Sequence, residues 1–264
     1  MRILTWNVRT SGSRVAWNAF LDLEADVALL QEAVVPADVA AHYVVHHRQA
    51  IKQSGKLQPW GTSVLVKRNL PSMTVAFTSA KRPWVAAELS KWGAIVPVTI
   101  EIGDRKVLVI SAYIPAWRVP LGELTEPQKG EVRLRALKGN SIWLADFLWA
   151  YLVDELGAQE AIVGGDYNSS VLFDRAHGGS GGGNEEMQDR MTALGLGDLL
   201  RVTSPDRFST PTFLAPRNAK PYQLDYLYAT SALRASTKSC VTGPRDLLLQ
   251  KVSDHLPIVA EVDV

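Results

Sequence analysis

The sequence predicts an α/β fold in which helices cover the faces of β-sheets. The chain opens as a strand, a helix and a second strand, further strands and helices alternate after it, and no stretch resembles a domain linker. Of its 264 residues, 47% are apolar and 21% are charged, which is ordinary globular composition with ample material for a core. We therefore expect one folded domain over residues 1–264.

The opening unit is indicated by changes in hydrophobic period. Residues 2–8 alternate and are rich in β-forming side chains, whereas residues 15–23 place apolar side chains at helical spacing. Residues 26–30 form a short apolar run that is typical of a buried strand. Together these three runs predict a strand, a helix and a strand.

The middle and the end of the chain continue this alternation. From residue 130 to residue 156, apolar side chains recur every three or four positions, which predicts a helix that Gly139-Asn140 divides. The glycine-rich stretch at residues 177–184 predicts a mobile loop beside the site, and a lid is one role that such a loop can have. The other predicted elements are a helix at 185–194 and strands at 61–66, 95–102, 106–113, 161–165, 224–229 and 258–262, with a turn at 103–104.

Charge and cysteine content exclude several classes of protein. With 28 basic and 27 acidic residues, the formal net charge is +1, so the chain as a whole has no electrostatic footprint for a polyanion. The single Cys240 excludes an internal disulfide and a cysteine-based zinc site, and it suits a reducing compartment. We expect a cytoplasmic protein without membrane insertion, because Trp6-Asn7 interrupts the first apolar stretch and no later run approaches the roughly 18 residues that span a bilayer.

Polar residues follow apolar strands at five places along the chain. A buried strand fixes its backbone, so polar groups at its end are presented at a cleft instead of being scattered over the surface. The five tracts are TWN at 5–7, LLQE at 29–32, GGDYN at 164–168, LDY at 224–226 and SDHLP at 253–257. We expect these ends to converge on one site.

The polar groups in these tracts suit a hard metal ion. Glu32, Asp166, Asp254, Asn7 and Asn168 offer oxygen ligands, which favour Mg²⁺, Mn²⁺ or Ca²⁺ over zinc. Mg²⁺ commonly takes only one or two carboxylates and leaves its other positions to water and substrate phosphate oxygens. We predict a magnesium cofactor, with Glu32 as the first choice of ligand.

His255 adds a group that can hydrogen-bond a phosphate oxygen or exchange a proton near neutral pH. A carboxylate that holds the other imidazole nitrogen would stabilise the protonated ring, and Asp225 is the predicted partner. Asp166 and Asn168 are then predicted to orient the attacking water.

Six short motifs in this order resemble the endonuclease/exonuclease/phosphatase superfamily, and the resemblance spans nearly the whole chain. The motifs are WN at 6–7, QE at 31–32, YIP at 113–115, GDYN at 165–168, LDY at 224–226 and SDHLP at 253–257. The resemblance implies a four-layered sandwich, in which two sheets pack face to face with helices outside. It also implies a metal-assisted attack of water on phosphorus.

The resemblance further implies a role for each site residue. Glu32 binds the metal with help from Asn7, and Asp254 supports either the metal or the histidine. Asp166 and Asn168 position or activate the water. His255, paired with Asp225, stabilises the transition state or acts as the base, so whether Asp166 or His255 takes the proton stays open at this point.

Tyr113 indicates the exonuclease III branch, where a Tyr-x-Pro pattern stands in place of the histidine of several other branches. Its phenol would donate to a phosphate oxygen or assist the leaving group. Phe213 and Tyr222 also resemble aromatic positions of that branch and are predicted to contact substrate. Ala116 stands where the branch usually has asparagine, so Arg118 is predicted to replace the missing phosphate donor.

Three functions follow as alternatives. The first is a Mg²⁺-dependent nuclease with nucleic acid, DNA in particular, as substrate and without an obligate protein partner. The second is a phosphatase or phosphodiesterase for a small or lipid-derived phosphate, which the near-neutral charge favours mildly and Tyr113 opposes. The third is a non-catalytic binding module, which the complete set of polar groups opposes.

Overall fold

The computed structural model describes residues 1–9, 14–52, 54–132, 142–176, 183–206, 210–214, 220–249 and 252–264. Within these residues the strands are β1 Arg2–Asn7, β2 Val27–Ala33, β3 Tyr43–Ile51, β4 Leu57–Lys67, β5 Ser72–Thr74, β6 Ile95–Ile102, β7 Arg105–Tyr113, β8 Glu160–Asp166, β9 Leu196–Asp198, β10 Phe213–Leu214, β11 Pro221–Tyr222, β12 Asp225–Thr230, β13 Thr237–Thr242 and β14 Ile258–Val262.

The helices of the described residues lie between these strands. They are α1 Arg14–Asp22, α2 Ala37–Ala40, α3 Pro83–Lys91, α4 Glu126–Val132, α5 Leu144–Glu155, α6 Val171–Ala176, α7 Asn184–Ala193, α8 Leu200–Thr203, α9 Ser231–Ala235 and α10 Asp246–Leu249, with one turn of 3₁₀ helix at Leu121–Glu123. No helix in this part of the chain combines the length and the apolar character that a membrane crossing needs.

The strands form two large mixed sheets and one short ribbon. The first sheet has the order β13-β14-β1-β2-β4-β3, the second has the order β5-β6-β7-β8-β12-β9, and β10 pairs with β11. In the first sheet β1 runs parallel to β2, and in the second β7 runs parallel to β8. Two pairs of parallel strands therefore end side by side, one pair in each sheet.

The two large sheets pack face to face through alternate side chains of their strands. Ile3 and Leu29 of the first sheet lie in one buried cluster with Val109, Ile162 and Leu227 of the second. Burial of one such side chain stabilises the fold by about 1.5–3 kcal/mol. This apolar layer holds the two sheets together.

The intervening side chains of the same strands point outward and are covered by helices. On the first sheet, Leu4 and Leu30 pack with Phe20 of α1. On the second sheet, Val163 packs in a cluster with Phe147 of α5, and α3 and α7 contribute to the same cluster. The order helix, sheet, sheet, helix confirms the four-layered α/β sandwich.

Glycines let the two sheets approach closely under the predicted site. A Cβ added to Gly164 would lie 2.8 Å from Leu29 Cδ1 across the sandwich. A Cβ added to Gly165 would lie 1.7 Å from the carbonyl oxygen of Ala112 on the neighbouring strand. Side chains at these two positions would displace β8, and with it the end of the strand that carries Asp166.

Several elements differ from the prediction. The helix predicted over 130–156 is described as α4 and α5, and the dividing Gly139-Asn140 lies outside the described residues. Residues 177–182 of the predicted loop also lie outside them, while residue 184 already belongs to α7. Strand β3 was not predicted, because His46, His47 and Arg48 conceal its alternation.

Candidate active site

The polar strand ends of both sheets meet at one edge of the sandwich. In the first sheet, Asn7 lies beside Gln31 in the parallel β1–β2 register. In the second sheet, Asp166 lies beside Tyr113 on one side and beside Asp225 on the other. Because the sheets face each other, Asn7 reaches Asp166 directly, with 2.9 Å between Nδ2 and Oδ2.

Glu32 departs from regular strand geometry at this edge. Its φ of 50° lies in the left-handed region, and the β2–β4 register shifts between Leu30 and Ala33. For a residue other than glycine this conformation costs about 1–2 kcal/mol, and such strain is found preferentially at functional sites. The irregularity places Glu32 Oε1 3.4 Å from Asn7 Nδ2.

The Asn7 side chain links these carboxylates. Its Nδ2 atom donates to both Asp166 and Glu32, while its Oδ1 atom accepts from the backbone N–H of Arg9. In this structure the amide therefore positions two carboxylates. Ligation of a metal by Asn7 stays a prediction, for which Oδ1 has a second lone pair besides the one that accepts from Arg9.

Asp166 is fully buried and accepts several hydrogen bonds. Besides Asn7, both the backbone N–H and the Nδ2 atom of Asn168 donate to its carboxylate, at 2.9 and 3.1 Å. Asn168 itself has a φ of 48°, which turns it back onto Asp166. Burial raises the pKa of the Asp166 carboxyl. The charge of His255 lowers that pKa, but by less than burial raises it. Asp166 is thus more basic than an ordinary aspartate.

His255 and Asp225 form the buried pair that the sequence predicts. Nδ1 of His255 lies 2.8 Å from Asp225 Oδ2, and the same oxygen accepts a hydrogen bond from Thr212 Oγ1 at 2.7 Å. The ring of Phe213 packs against the imidazole with a centroid distance of 4.8 Å. These contacts fix the plane of the imidazole.

The second nitrogen of His255 points toward Asp166. The Nε2 atom lies 3.9 Å from Asp166 Oδ2, which leaves room for an oxygen atom in hydrogen-bond contact with both groups. Burial by itself would lower the pKa of the imidazole, but the carboxylates of Asp225 and Asp166 outweigh it and raise the pKa above its ordinary value. The ring is therefore protonated at neutral pH and serves as a hydrogen-bond donor.

Tyr113 lies at the Glu32 end of the site. The negative charge of the Glu32 carboxylate acts on its hydroxyl, and the ring meets Trp60 edge-on. Burial, followed by the negative charges of Glu32 and Asp166, raises the pKa of the phenol well above its usual value. Tyr113 thus keeps its proton and can donate it in a hydrogen bond.

The remaining predicted residues lie at different distances from this centre. Asp254 is partly exposed, its carboxylate lies 3.6 Å from Arg9 Nε, and its charge raises the pKa of His255. Tyr222 pairs with Phe213 in the short ribbon and packs against Phe173. Arg118 is exposed, and its guanidinium lies over the Trp143 ring at 5.2 Å. Their contacts with substrate and metal stay predictions.

The donor set fits a hard divalent cation. Glu32 and Asp166 are held by the same amide, and their negative charges both act on Tyr113, so a cation beside Glu32 would relieve their mutual repulsion. The strained backbone of Glu32 has a reason if its carboxylate must face such an ion. Asp166, Asp225 and His255 also place ligand atoms within 4.8 Å of one another. Here, however, the His255–Asp225 hydrogen bond occupies one atom of each residue.

Sequence reasoning assigned no role to three supporting residues, although one of them, Ser253, lies in the SDHLP tract. Thr212 accepts the backbone N–H groups of Leu224 and Asp225, each at 3.0 Å, in addition to donating to Asp225. Ser253 donates to the carbonyl of Asn7 at 2.8 Å and accepts the N–H of His255, which ties the end of β1 to the histidine loop. Ser111 bonds Gln31 across the sandwich at 3.1 Å. In the sequence these residues cannot be distinguished from other buried serines and threonines, because no local pattern marks them.

Comparison with known proteins agrees with this geometry. The model of the Endonuclease/Exonuclease/phosphatase family matches residues 4–255. No curated protein sequence matches the chain.

Solved structures resemble the fold over its whole length. An AP endonuclease from Archaeoglobus fulgidus superposes with a TM-score of 0.66 at 18% identity, covering 100% of this chain and 100% of that one. The AP endonuclease LMAP from Leishmania major has a TM-score of 0.66 at 17% identity, covering 100% and 87%. The 3′ phosphatase NExo from Neisseria, bound to product DNA hairpin, has a TM-score of 0.64 at 17% identity, covering 100% and 100%. At these identities the likeness shows the fold.

Proposed function

Because the chain belongs to the endonuclease/exonuclease/phosphatase family, whose members hydrolyse phosphoester bonds, we propose that it is a Mg²⁺-dependent nuclease acting on DNA. The observation that carries the proposal is the buried Asp225–His255 pair, which faces Asp166 across a 3.9 Å gap at the same sheet edge as Glu32. The Asp166 carboxylate, which would activate the nucleophile, and the His255 ring, a charged hydrogen-bond donor, thus face each other at 3.9 Å.

The metal end of the site is Glu32, with Asn7 and Asp254 as the further proposed ligands. Mg²⁺ bound there supplies a positive charge that polarises the phosphate and stabilises the charge that develops on its oxygens. Glu32 is the residue that holds it by charge, and Asn7 keeps Glu32 and Asp166 at a fixed separation.

The water end of the site is Asp166. Its raised pKa makes it a competent base. The two hydrogen bonds from Asn168 hold the Asp166 carboxylate in one orientation. We assign Asp166 as the group that accepts the proton when water attacks phosphorus. The new phosphorus–oxygen bond forms on that side, and the bond to the leaving alkoxide breaks opposite to it.

The protonated His255 donates a hydrogen bond to a non-bridging phosphate oxygen, and Asp225 holds its charge in place. Tyr113 donates either to a second phosphate oxygen or to the leaving alkoxide. We therefore propose Asp166 as the base and His255 as the donor, and the raised pKa values of both groups support this division.

A phosphatase or phosphodiesterase acting on a small or lipid-derived phosphate is the second candidate. The formal charge of +1 favours it, because phosphate contacts supply most non-specific affinity for duplex DNA. The presence of Tyr113 and the aromatic residues Phe213 and Tyr222 beside the site supports the nuclease instead.

A substrate panel tests the proposal. Wild type and Asp166→Asn would be incubated with Mg²⁺ and, separately, with Mn²⁺ on oligonucleotides with and without an abasic site, inositol phosphates, sphingomyelin and an aryl phosphodiester. We expect wild-type cleavage of an oligonucleotide that disappears in Asp166→Asn. Intact oligonucleotides together with release of inorganic phosphate from a small substrate would overturn the nuclease in favour of the second candidate.

We also propose that the chain forms one domain and works in the cytoplasm without an obligate protein partner. The family match over residues 4–255 supports the single domain. The one cysteine, Cys240, is buried and free, which suits a reducing compartment.

A further inference from the structure

Four tryptophans lie on segments near Tyr113, and one of them, Trp60, contacts its ring. They are Trp60, Trp92, Trp117 and Trp143, and each is partly exposed. Tryptophan is large and apolar, so a group of partly exposed indoles is informative where a single one is not. We call these four residues the tryptophan surface.

The tryptophan surface is continuous with the site. The Trp60 ring meets the Tyr113 ring edge-on, with 5.4 Å between centroids and an interplanar angle of 85°. The charge of Glu32 in turn acts on the Tyr113 phenol at the proposed metal end. A strand whose phosphate lies between Glu32 and His255 would therefore pass Trp60 first as it leaves the site.

Backbone contacts bring the other indoles beside Trp60. The carbonyl of Trp92 accepts the N–H of Ile51, which pairs with the beginning of β4, the strand of Trp60. The rings of Trp92 and Trp117 lie 5.2 Å apart. The carbonyl of Trp117 accepts the N–H of Leu144, the residue after Trp143. The four residues thus lie on neighbouring segments, with Trp92 also packed against the core under the second sheet.

Arg118 adds a cation at the far end. It is exposed, and its guanidinium lies over the Trp143 ring at 5.2 Å. A guanidinium plane held on an indole can stack on a base or contact a phosphate. Arg118 therefore supplies local positive charge that the near-neutral chain lacks as a whole.

We propose that the tryptophan surface binds unpaired nucleobases of the strand being cleaved, so that the enzyme prefers single-stranded or unpaired-end DNA to a blunt duplex. The proposal rests on the proposed nuclease function and names its substrate class. Indole faces bind bases by stacking, and the faces of a base are accessible only where it is unpaired at an end or in a single strand. In a duplex interior the phosphate backbone is presented instead, and a chain with a formal charge of +1 has little general attraction for it.

Binding in EDTA tests the proposal independently of catalysis. The probe is a fluorescein-labelled 12-mer, single-stranded or annealed as a blunt duplex, measured by fluorescence anisotropy. We expect the single strand to bind at least tenfold more tightly than the duplex. Because few phosphates are contacted, raising the salt from about 50 to 200 mM should weaken single-strand binding by less than about tenfold.

Tryptophan variants locate the interaction. Trp60→Leu and Trp117→Leu should each weaken single-strand binding by about tenfold or more, as expected of one lost base-stacking contact. Trp117→Phe keeps an aromatic face and should lie between wild type and Trp117→Leu. The matched control is Trp149→Leu, because Trp149 is also partly exposed but lies on α5 under the Arg190 guanidinium, at 4.4 Å. Circular dichroism verifies that each variant is folded.

The outcomes separate this proposal from the function on which it rests. Equal affinity for the two probes, or equal losses in Trp117→Leu and Trp149→Leu, would overturn base stacking even if the enzyme cleaves DNA. Selective single-strand binding without cleavage of any oligonucleotide would support the stacking surface and overturn the nuclease.

Discussion

Nδ1 of His255 lies 2.8 Å from Oδ2 of Asp225, and both side chains are buried at the edge where the two sheets meet. The residues are 30 positions apart, and Thr212 bonds the same carboxylate oxygen from a third segment. A buried imidazole with one carboxylate partner is held in one orientation and favours its protonated form. The first prediction concerns that charge.

Asp225→Asn should lower the pKa of His255, because Asp225 provides both the largest charge and the hydrogen bond that raise it against burial. Since the folded pKa of wild-type His255 lies above its unfolded value, this charge stabilises the fold at pH values below the unfolded pKa. The stabilisation is lost as the pH rises through the folded pKa. NMR titration of the imidazole in EDTA measures the shift. Asp263→Asn, at an exposed pair with Lys238, is the control and should leave the pKa unchanged. An unaltered pKa in Asp225→Asn would contradict the pairing.

Glu32→Gln should weaken Mg²⁺ or Mn²⁺ binding, because an amide replaces the carboxylate that faces the proposed metal position. A bound ion stabilises the folded protein by mass action, by about 2.7 kcal/mol when present at a hundred times its Kd. Thermal unfolding with and without the ion should therefore show an increase in Tm for wild type and a smaller one for the variant. Glu101→Gln, at an exposed pair with Lys106, is the matched control. If Glu32→Gln and wild type gain equally from the ion, the metal lies elsewhere.

Thr212→Val should destabilise the protein by about 1–3 kcal/mol, because the N–H groups of Leu224 and Asp225 lose their acceptor in a buried place. The Asp225 carboxylate also loses a donor, so kcat should decrease with it. Thr212→Ser keeps the hydroxyl and should recover most of both. Urea unfolding and steady-state kinetics measure these effects, and equal behaviour of the valine and serine variants would show that the hydroxyl is dispensable.

Asp154→Asn should show how the contribution of a buried ion pair to the free energy of unfolding depends on pH. Asp154 accepts Nε and Nη2 of Arg82 at 2.9 and 2.7 Å and the hydroxyl of Ser79 at 2.7 Å. Burial alone would raise the pKa of Asp154, but these hydrogen bonds and the Arg82 charge lower it below 3.8. The pair therefore stabilises the fold above the unfolded pKa, and that stabilisation is lost as the pH falls through the folded pKa.

The difference in the free energy of unfolding between wild type and Asp154→Asn should be about 3–5 kcal/mol from pH 5 to pH 8 and decrease below pH 4. Urea unfolding over this range measures it. A difference that stays constant into acid would contradict a charged pair. At the exposed Lys238–Asp263 pair, Asp263→Asn should change the free energy by no more than about 1 kcal/mol.

Tyr113→Phe should lower kcat by about 10²–10³ with little effect on folding, because it removes one preorganised donor at the developing charge. Tyr151→Phe is the matched control, since Tyr151 also has a pKa raised by burial but lies on α5 and packs against Phe77. Steady-state kinetics with an oligonucleotide that the wild-type enzyme cleaves measure the change in kcat. If Tyr113→Phe has the wild-type kcat, the phenol hydroxyl does not contribute to catalysis and Tyr113 only packs.

The predicted site residues were found from their positions after apolar strands, and the structure brings most of them together. Asn7, Glu32 and Asp166 lie at the ends of buried strands, and that local pattern is visible in sequence. For the other two tracts the expectation was wrong, because Asp225 begins β12 and His255 precedes β14; in antiparallel strands the beginning of one strand lies beside the end of its neighbour. Thr212 has no predicted role, because a buried threonine in an irregular segment has no pattern of its own. The role of Arg118 as a phosphate donor stays a prediction, and the structure adds that its guanidinium lies over the Trp143 ring.

The sequence by itself determined the α/β class, the family and the polar strand ends, because hydrophobic period and motif order are local properties of the chain. Only the tertiary structure decided which atoms meet: that Asn7 turns its amide nitrogen toward two carboxylates, that Asp225 holds His255, and that 3.9 Å separate His255 Nε2 from Asp166 Oδ2. These relations depend on the strand register within each sheet and on the close packing of the two sheets at Gly164. Register and packing arise from contacts between distant segments, and no local pattern encodes them.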